Sequence, residues 1–239
     1  MDWETLYCPN RFCRYYGRSF HASLLVKNGS TRGQKQARCR SCGRTVALTY
    51  GTAYFDLDAE PADNINAIAQ AKGVKAHDVT VLVMDRPRHE ALIAKIRKAG
   101  AKVKLITDGD VAGVIEATDP ATGVDLYLGI GGAPEGVLAA AALRCVGGQM
   151  QGRLVFRNED EKARAAKWGI KDLNRKYKLH DLVSGDVVFS ATGVTDGSML
   201  RGVHRVGNFI TTESVVMRSA TGTVRWIKAR HRRDLALSR

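Results

Sequence analysis

From Asp78 onward the chain repeats one unit: a short run rich in β-branched residues, a polar or glycine-rich turn, then a helical stretch. The run DVTVLVM (78–84) reads as a buried strand. RPRHEALIAKIRKAG (86–100) continues as an amphipathic helix with apolar Ala91, Leu92, Ile96 and Ala99 and a closing Gly100. AKVKLIT (101–107) is the next strand, and DGD breaks it before the helix VAGVIEA (111–117). DLYLGI (125–130) leads through GGAPEG into the small-residue helix VLAAAALRC (137–145), and GDVVFSA (185–191) followed by TGVTDG repeats the theme once more. Strands joined through helices pair in parallel by crossover, so this part of the chain predicts an α/β sheet.

In an open α/β sheet, the residues just past the carboxyl ends of neighbouring strands face one crevice, and helix N-termini there attract anions. The first such turn supplies Arg86 and Arg88, the second Asp108 and Asp110, the third Gly131, Gly132 and Glu135. Cations hold phosphate, carboxylates hold sugar hydroxyls or a divalent metal, and glycines let a ligand approach the backbone. Together these turns predict a site for a phosphorylated polyol and a hard cation.

The first 55 residues have another character. They carry nine Lys or Arg against two acids, Asp2 and Glu4, whereas the rest of the chain carries 28 basic and 22 acidic side chains. Four of the five cysteines lie within the first 42 residues. Cys8 and Cys13 form C-x4-C and Cys39 and Cys42 form C-x2-C, with 25 residues between the pairs. Four soft ligands paired in this way suit tetrahedral zinc, and so small a segment needs such a metal to fold. Between the knuckles Lys27, Arg32, Lys35, Arg38, Arg40 and Arg44 form a basic strip, which gives affinity for nucleic-acid phosphates without sequence reading.

Both segments resemble known families. CPNRFCRYYGRS and LVKNGSTRGQKQARCRSCGRTVALTYGTAYF are similar to the N-terminal zinc ribbon of insertion-element transposases over about residues 5–58. The resemblance implies Zn2+ and contact with DNA. The helix-turn-helix and catalytic acidic residues of that family do not follow here, so transposition is not implied.

DLDAEPADNINAIAQAKG, DRPRHEALIAKIRKAGAKVKLITDGDVAG, GIGGAPEGVLAAAALRCVGGQMQGRLV and ATGVTDGSMLRGV resemble class II fructose-1,6-bisphosphatase, an enzyme of gluconeogenesis, from about Asp56 to about His231. That resemblance implies a layered α/β fold that hydrolyses the 1-phosphate of fructose 1,6-bisphosphate with Mn2+ or Mg2+. It also implies that Arg86, Pro87 and Arg88 form a basic substrate-binding turn and that Asp108, Gly109 and Asp110 form a sugar-binding turn. By the same likeness Gly132 is a substrate contact and Glu135 a metal ligand. The family's D-P-x-E-G-T motif and its cluster of metal-binding carboxylates do not occur in this chain, whose one DP, Asp119-Pro120, is followed by Ala and Thr. Two-metal phosphoryl chemistry needs several carboxylates, so the expected hydrolysis is impaired.

The stretch GTAYFDLDAEPADN (51–64) suits the end of one resemblance and the start of the other. The expectation is therefore a fusion, with a transposase-like zinc ribbon at 1–55 and a phosphatase-like lobe at 56–239. A ribbon cannot cover what a whole lobe would bury, which predicts exposed apolar surface and self-association. The alternative is a zinc-dependent nucleic-acid-binding module on an inert α/β lobe, or a gene-fusion product without function. No apolar run approaches the roughly 18 residues of a membrane span, and the first residues lack a secretory leader, so a cytoplasmic protein is expected. Cys145, on an Ala-rich helix, reads as a core residue. His89 reads as a capping or surface residue, and the basic tail RWIKARHRRDLALSR as frayed. Trp3, Trp168 and Trp226 are too scattered for a stacking platform.

Overall fold

The computed structural model describes residues 25–31, 34–41, 45–47 and 59–232, in two compact units, Met1–Asp78 and Val79–Arg239. In the first unit, β1 (Leu25–Thr31), β2 (Gln34–Cys39) and β3 (Thr45–Ala47) form an antiparallel sheet in that order. The β1–β2 register runs from Leu25↔Cys39 to Thr31↔Gln34, with an irregularity between Lys27 and Ser30. Cys39, at the end of β2, is buried, and Arg40 beyond it is exposed. Cys8, Cys13 and Cys42 lie outside the described residues, and so does the junction 51–58. Helix α1 (Pro61–Lys72) starts on a proline, whose missing N–H costs nothing in a first turn, and stops at Gly73 in the left-handed conformation. Its buried side, Asn64, Ile65, Ile68 and Ala69, follows helical spacing.

The second unit opens with three parallel strands, β4 (Thr80–Met84), β5 (Lys102–Ile106) and β6 (Leu126–Tyr127), in the order β5-β4-β6. Central β4 buries Val81, Leu82, Val83 and Met84, the continuous apolar run expected of a strand covered on both faces. Helix α2 (Glu90–Lys98) connects β4 to β5, α3 (Asp110–Glu116) lies between β5 and β6, and α4 (Ala133–Val146) follows β6. The inward residues of α2 are Ile93 and Ile96; Leu92 and Ala99 are half-buried and Ala91 is exposed. The apolar stripe is therefore not the one expected, because a 3-10 turn at Pro87–His89 precedes the α-helix and changes the phase at which it starts.

Beyond α4 come β7 (Gln151–Gly152), α5 (Glu159–Lys167), β8 (Tyr177–Lys178), α6 (Leu179–Leu182), β9 (Val188–Thr192), β10 (His204–Val206), β11 (Phe209–Arg218) and β12 (Thr223–Arg232). Strands β9 to β12 form a second sheet that is wholly antiparallel, with β11 paired to β12 on one edge and to β9 and β10 on the other. The expected fourth βα unit is therefore absent: GDVVFSA alternates, with Phe189 buried between exposed Val188 and Ser190, as a half-covered antiparallel strand must. The basic tail is ordered through Arg232, paired residue for residue with β11 from Arg218↔Thr223 to Phe209↔Arg232. Residues 233–239 lie outside the described residues.

Helices α3 and α4 pack together, and both contribute to a core shared with the second sheet. There Ile115, Ala142 and Cys145 meet Phe189, Leu200, Val215 and Met217. Cys145 is a core residue as expected; burial raises its thiol pKa, and its Sγ reaches Val187 O at 3.6 Å. The layering of a parallel sheet, a helical layer and an antiparallel sheet fixes the carboxyl edge of the parallel strands as the place where turns meet. Among the described residues no helix is long and apolar enough to cross a membrane.

Candidate functional site

At the carboxyl end of β4 the backbone leaves the sheet through Asp85, and Arg86 is extended (φ −142°, ψ 145°) before the Pro87–His89 turn. Proline presets φ there, and His89 N–H closes the turn on Arg86 O at 2.8 Å. Arg86 is half-buried, with Nη1 donating to Asp85 O at 3.1 Å, while Pro87 and Arg88 are exposed. Arg88 Nε donates to Ile130 O at 2.9 Å, which leaves both terminal guanidinium nitrogens as donors.

His89 is fully buried and caps nothing, contrary to the surface or capping role expected for it. Its Nδ1 lies 2.8 Å from Met84 O, and its Nε2 accepts the Ile130 N–H at 2.9 Å. An acceptor at Nε2 requires the proton on Nδ1, so the ring is neutral and its tautomer is fixed by two backbone groups. Arg88 and His89 thus take both backbone polar groups of Ile130 and tie the turn after β6 to the turn after β4.

After β5, Asp108 Oδ1 accepts the Gly109 N–H at 2.8 Å, Gly109 adopts φ +82°, and Asp110 Oδ1 accepts the Val111 N–H at 2.9 Å at the start of α3. The other Asp110 oxygen lies 2.9 Å from where a Cβ on Gly131 would stand, so the second turn touches the third. Tyr127, at the end of β6, senses both charged turns. Burial first and the Asp110 carboxylate second push its phenol up to about 12, against an opposing pull from Arg88. In the first turn of α4 the Glu135 carboxylate folds back over Gly132, where any Cβ would collide with it. A side chain there would push the carboxylate aside, so glycine at that position is what lets Glu135 fold back this far.

The three predicted turns therefore converge on one edge, bringing together Arg86, Pro87, Arg88, Asp108, Gly109, Asp110, Gly131, Gly132 and Glu135. Sequence reasoning missed His89 and Tyr127. For Tyr127 the available signal was its place as the one aromatic residue of a strand that ends at the crevice. A lone histidine after an Arg-Pro-Arg turn carried none.

A hard divalent cation takes about six oxygen ligands. Among the described residues no three His, Cys, Asp or Glu side chains come together to hold a metal, around Glu135 or elsewhere. The described residues do not by themselves make a closed cation site. Of the four cysteines expected to bind zinc, only Cys39 is among them.

The profile of the family described as bacterial fructose-1,6-bisphosphatase, glpX-encoded, matches residues 45–231. The chain is 44% identical over 191 residues to a D-fructose 1,6-bisphosphatase class 2/sedoheptulose 1,7-bisphosphatase of Synechococcus sp. (strain JA-3-3Ab), covering 74% of this chain and 55% of that protein. It is 45% identical over 194 residues to a fructose-1,6-bisphosphatase class 2 of Haemophilus influenzae, covering 75% of this chain and 58% of that protein. The chain thus matches just over half the length of these relatives. Matched from the end of the first segment to the last described strand, with its three turns at one sheet edge, the chain belongs to the bacterial fructose-1,6-bisphosphatase family of the glpX-encoded type.

Proposed function

We propose that the crevice at the carboxyl edge of β5-β4-β6 binds fructose 1,6-bisphosphate, in the manner of the class 2 fructose-1,6-bisphosphatases that the chain resembles. The observation that carries this reading is the convergence of three turns: the cationic turn is tied to the glycine turn through Ile130, and the dicarboxylate turn meets the glycine turn where Asp110 lies against Gly131. Arg86 and Arg88 supply guanidinium donors for a phosphate. Asp108 and Asp110, each with one oxygen already engaged by a backbone N–H, present the other to sugar hydroxyls. Gly131 and Gly132 let the ligand approach the backbone, and Glu135 is the single metal ligand.

Hydrolysis to fructose 6-phosphate needs Mn2+ or Mg2+ held by several carboxylates, and Glu135 alone does not supply them. The chain by itself therefore binds substrate and hydrolyses it weakly. Phosphate release from fructose 1,6-bisphosphate with Mn2+, compared between the chain and Glu135→Ala, tests this. Release at the rate of a full enzyme, lost in the variant, would contradict the impairment.

The N-terminal segment favours a second role. The antiparallel β1–β3 sheet with Cys39 buried at the end of β2 supports a zinc ribbon at residues 1–55, with Cys8, Cys13, Cys39 and Cys42 as ligands, fused to the phosphatase-like lobe at 56–239. Through its basic strip such a ribbon binds DNA without sequence preference. One equivalent of zinc and a salt-sensitive gel shift, both lost in Cys39→Ser, are the results this reading requires. Exposed Ile130, Val137 and Leu138 beside the crevice support self-association through uncovered apolar surface. Light scattering at rising concentration tests it, and a monomer throughout would contradict it.

A further inference from the structure

The antiparallel sheet carries a second concavity that the sugar-phosphate reading does not use. A cavity of about 450 Å³ opens against β10, β11 and β12, lined by Arg201, His204, Thr211, Glu213, Lys228 and Arg230 among others. The register explains why these side chains meet. His204 pairs with Thr211, Thr211 with Arg230, and Glu213 with Lys228, and directly opposed residues share a face of the sheet. Two further pairs along the same face lie the buried Val215 and Met217, so one face passes from apolar, where α4 covers it, to charged, where nothing among the described residues does.

The charged end is held in place. Glu213 accepts the Arg201 backbone N–H at 3.1 Å and pairs with Lys228 Nζ at 3.1 Å. Asp196 Oδ1 accepts the Gly202 N–H at 2.8 Å and meets His204 Nε2 at 2.7 Å. The Arg230 guanidinium lies 3.6 Å from the centroid of the Phe209 ring. Both nearby acids are thus hydrogen-bonded already, and although the Arg201 charge helps hold both carboxyls below their ordinary range, neither the Arg201 nor the Arg230 guanidinium forms an ion pair among the described residues.

We infer that this cavity is an anion site that takes a phosphate group carried by a small molecule. Two guanidinium forks and an ammonium are the donor set that phosphate selects, since each fork can donate twice to one group. The volume is that of a small-ligand pocket. Glu213 on its wall, and Asp196 behind His204 and Gly202, oppose an extended polyanion such as a nucleic-acid strand, but leave room for one dianion between the arginines.

The test uses the full chain, 15N-labelled, titrated with inorganic phosphate at ionic strength held constant with chloride. The amide signals of Gly202 and Thr211 are followed. The expected result is a saturable shift, weakened tenfold or more in Arg201→Gln and in Arg230→Gln but retained in Arg88→Gln. That pattern separates this site from the crevice at the parallel strands. Arg201→Gln leaves the Phe209 contact intact, so it decides the matter if Arg230→Gln unfolds. Glucose 6-phosphate in place of inorganic phosphate distinguishes the source: tighter binding identifies a phosphorylated small molecule, equal binding free phosphate. Shifts that never saturate, or that survive Arg201→Gln and vanish in Arg88→Gln, would overturn the inference. So would tight binding of a single-stranded oligonucleotide that phosphate fails to displace.

Discussion

His89 Nε2 accepts the backbone N–H of Ile130 at 2.9 Å across 41 residues of sequence, and with the Arg88 Nε bond to Ile130 O it joins the turn after β4 to the turn after β6. Its other ring nitrogen donates to Met84 O, so removing the imidazole takes a partner from a buried carbonyl and from a part-buried N–H and leaves a void beside β4. His89→Ala is expected to cost about 3 kcal/mol, from the cavity and the lost bonds together. Urea unfolding followed by circular dichroism measures it; a change below about 1 kcal/mol would show that the clamp holds nothing.

A buried charge gives a second prediction. Glu116, at the end of α3, is 6% exposed and is bridged by Lys104 Nζ at 2.7 Å, while its Oε1 has no partner. Lys104 is 40% exposed, so water screens the pair in part. Lys104→Met should destabilise by about 2 kcal/mol because it strands the carboxylate, and adding Glu116→Gln should recover much of that loss. A double-mutant cycle on thermal midpoints reads both.

The loop between β9 and β10 should fail in acid. The Gly202 N–H first, and His204 second, hold the Asp196 carboxyl below its ordinary range. Its folded pKa lies below the unfolded value of about 3.9, so the stabilisation is complete above that value and is lost as pH falls through the folded one. Between pH 5 and 2.5 the wild-type thermal midpoint should fall more steeply than that of Asp196→Asn. Parallel curves would remove Asp196 from the acid response.

The same loop tolerates no side chain at Gly202. A Cβ there would stand 2.6 Å from the carbonyl carbon and 2.7 Å from the Cα of Thr195, both backbone atoms that cannot swing away. Gly202→Ala is therefore expected to cost about 1–3 kcal/mol, despite adding one methyl group. Urea unfolding of the purified variant reads the cost, and an unchanged midpoint would show that the two backbone segments part freely.

The parallel strands and their turns were legible because each half of the evidence lies within a few residues: an apolar run, then Arg-Pro-Arg, Asp-Gly-Asp or Gly-Gly. Convergence of the turns followed from topology alone. The antiparallel sheet was not legible in the same way. GDVVFSA looks like a buried parallel strand until its partner β11 is known, and β12, with Arg225, Lys228, Arg230 and Arg232, reads as a solvated tail because its pairing is decided by FITTESVVMR rather than by its own composition. His89 is hidden for a related reason: the partner of its Nε2, the Ile130 N–H, lies 41 residues along the chain.

Recognition of a sugar bisphosphate by the crevice is tested most directly by calorimetric titration of fructose 1,6-bisphosphate into the full chain and into Arg88→Gln. Saturable binding that weakens tenfold or more in the variant, about 1.4 kcal/mol, is the predicted result. No binding to the wild-type chain, or equal binding to both, would contradict it.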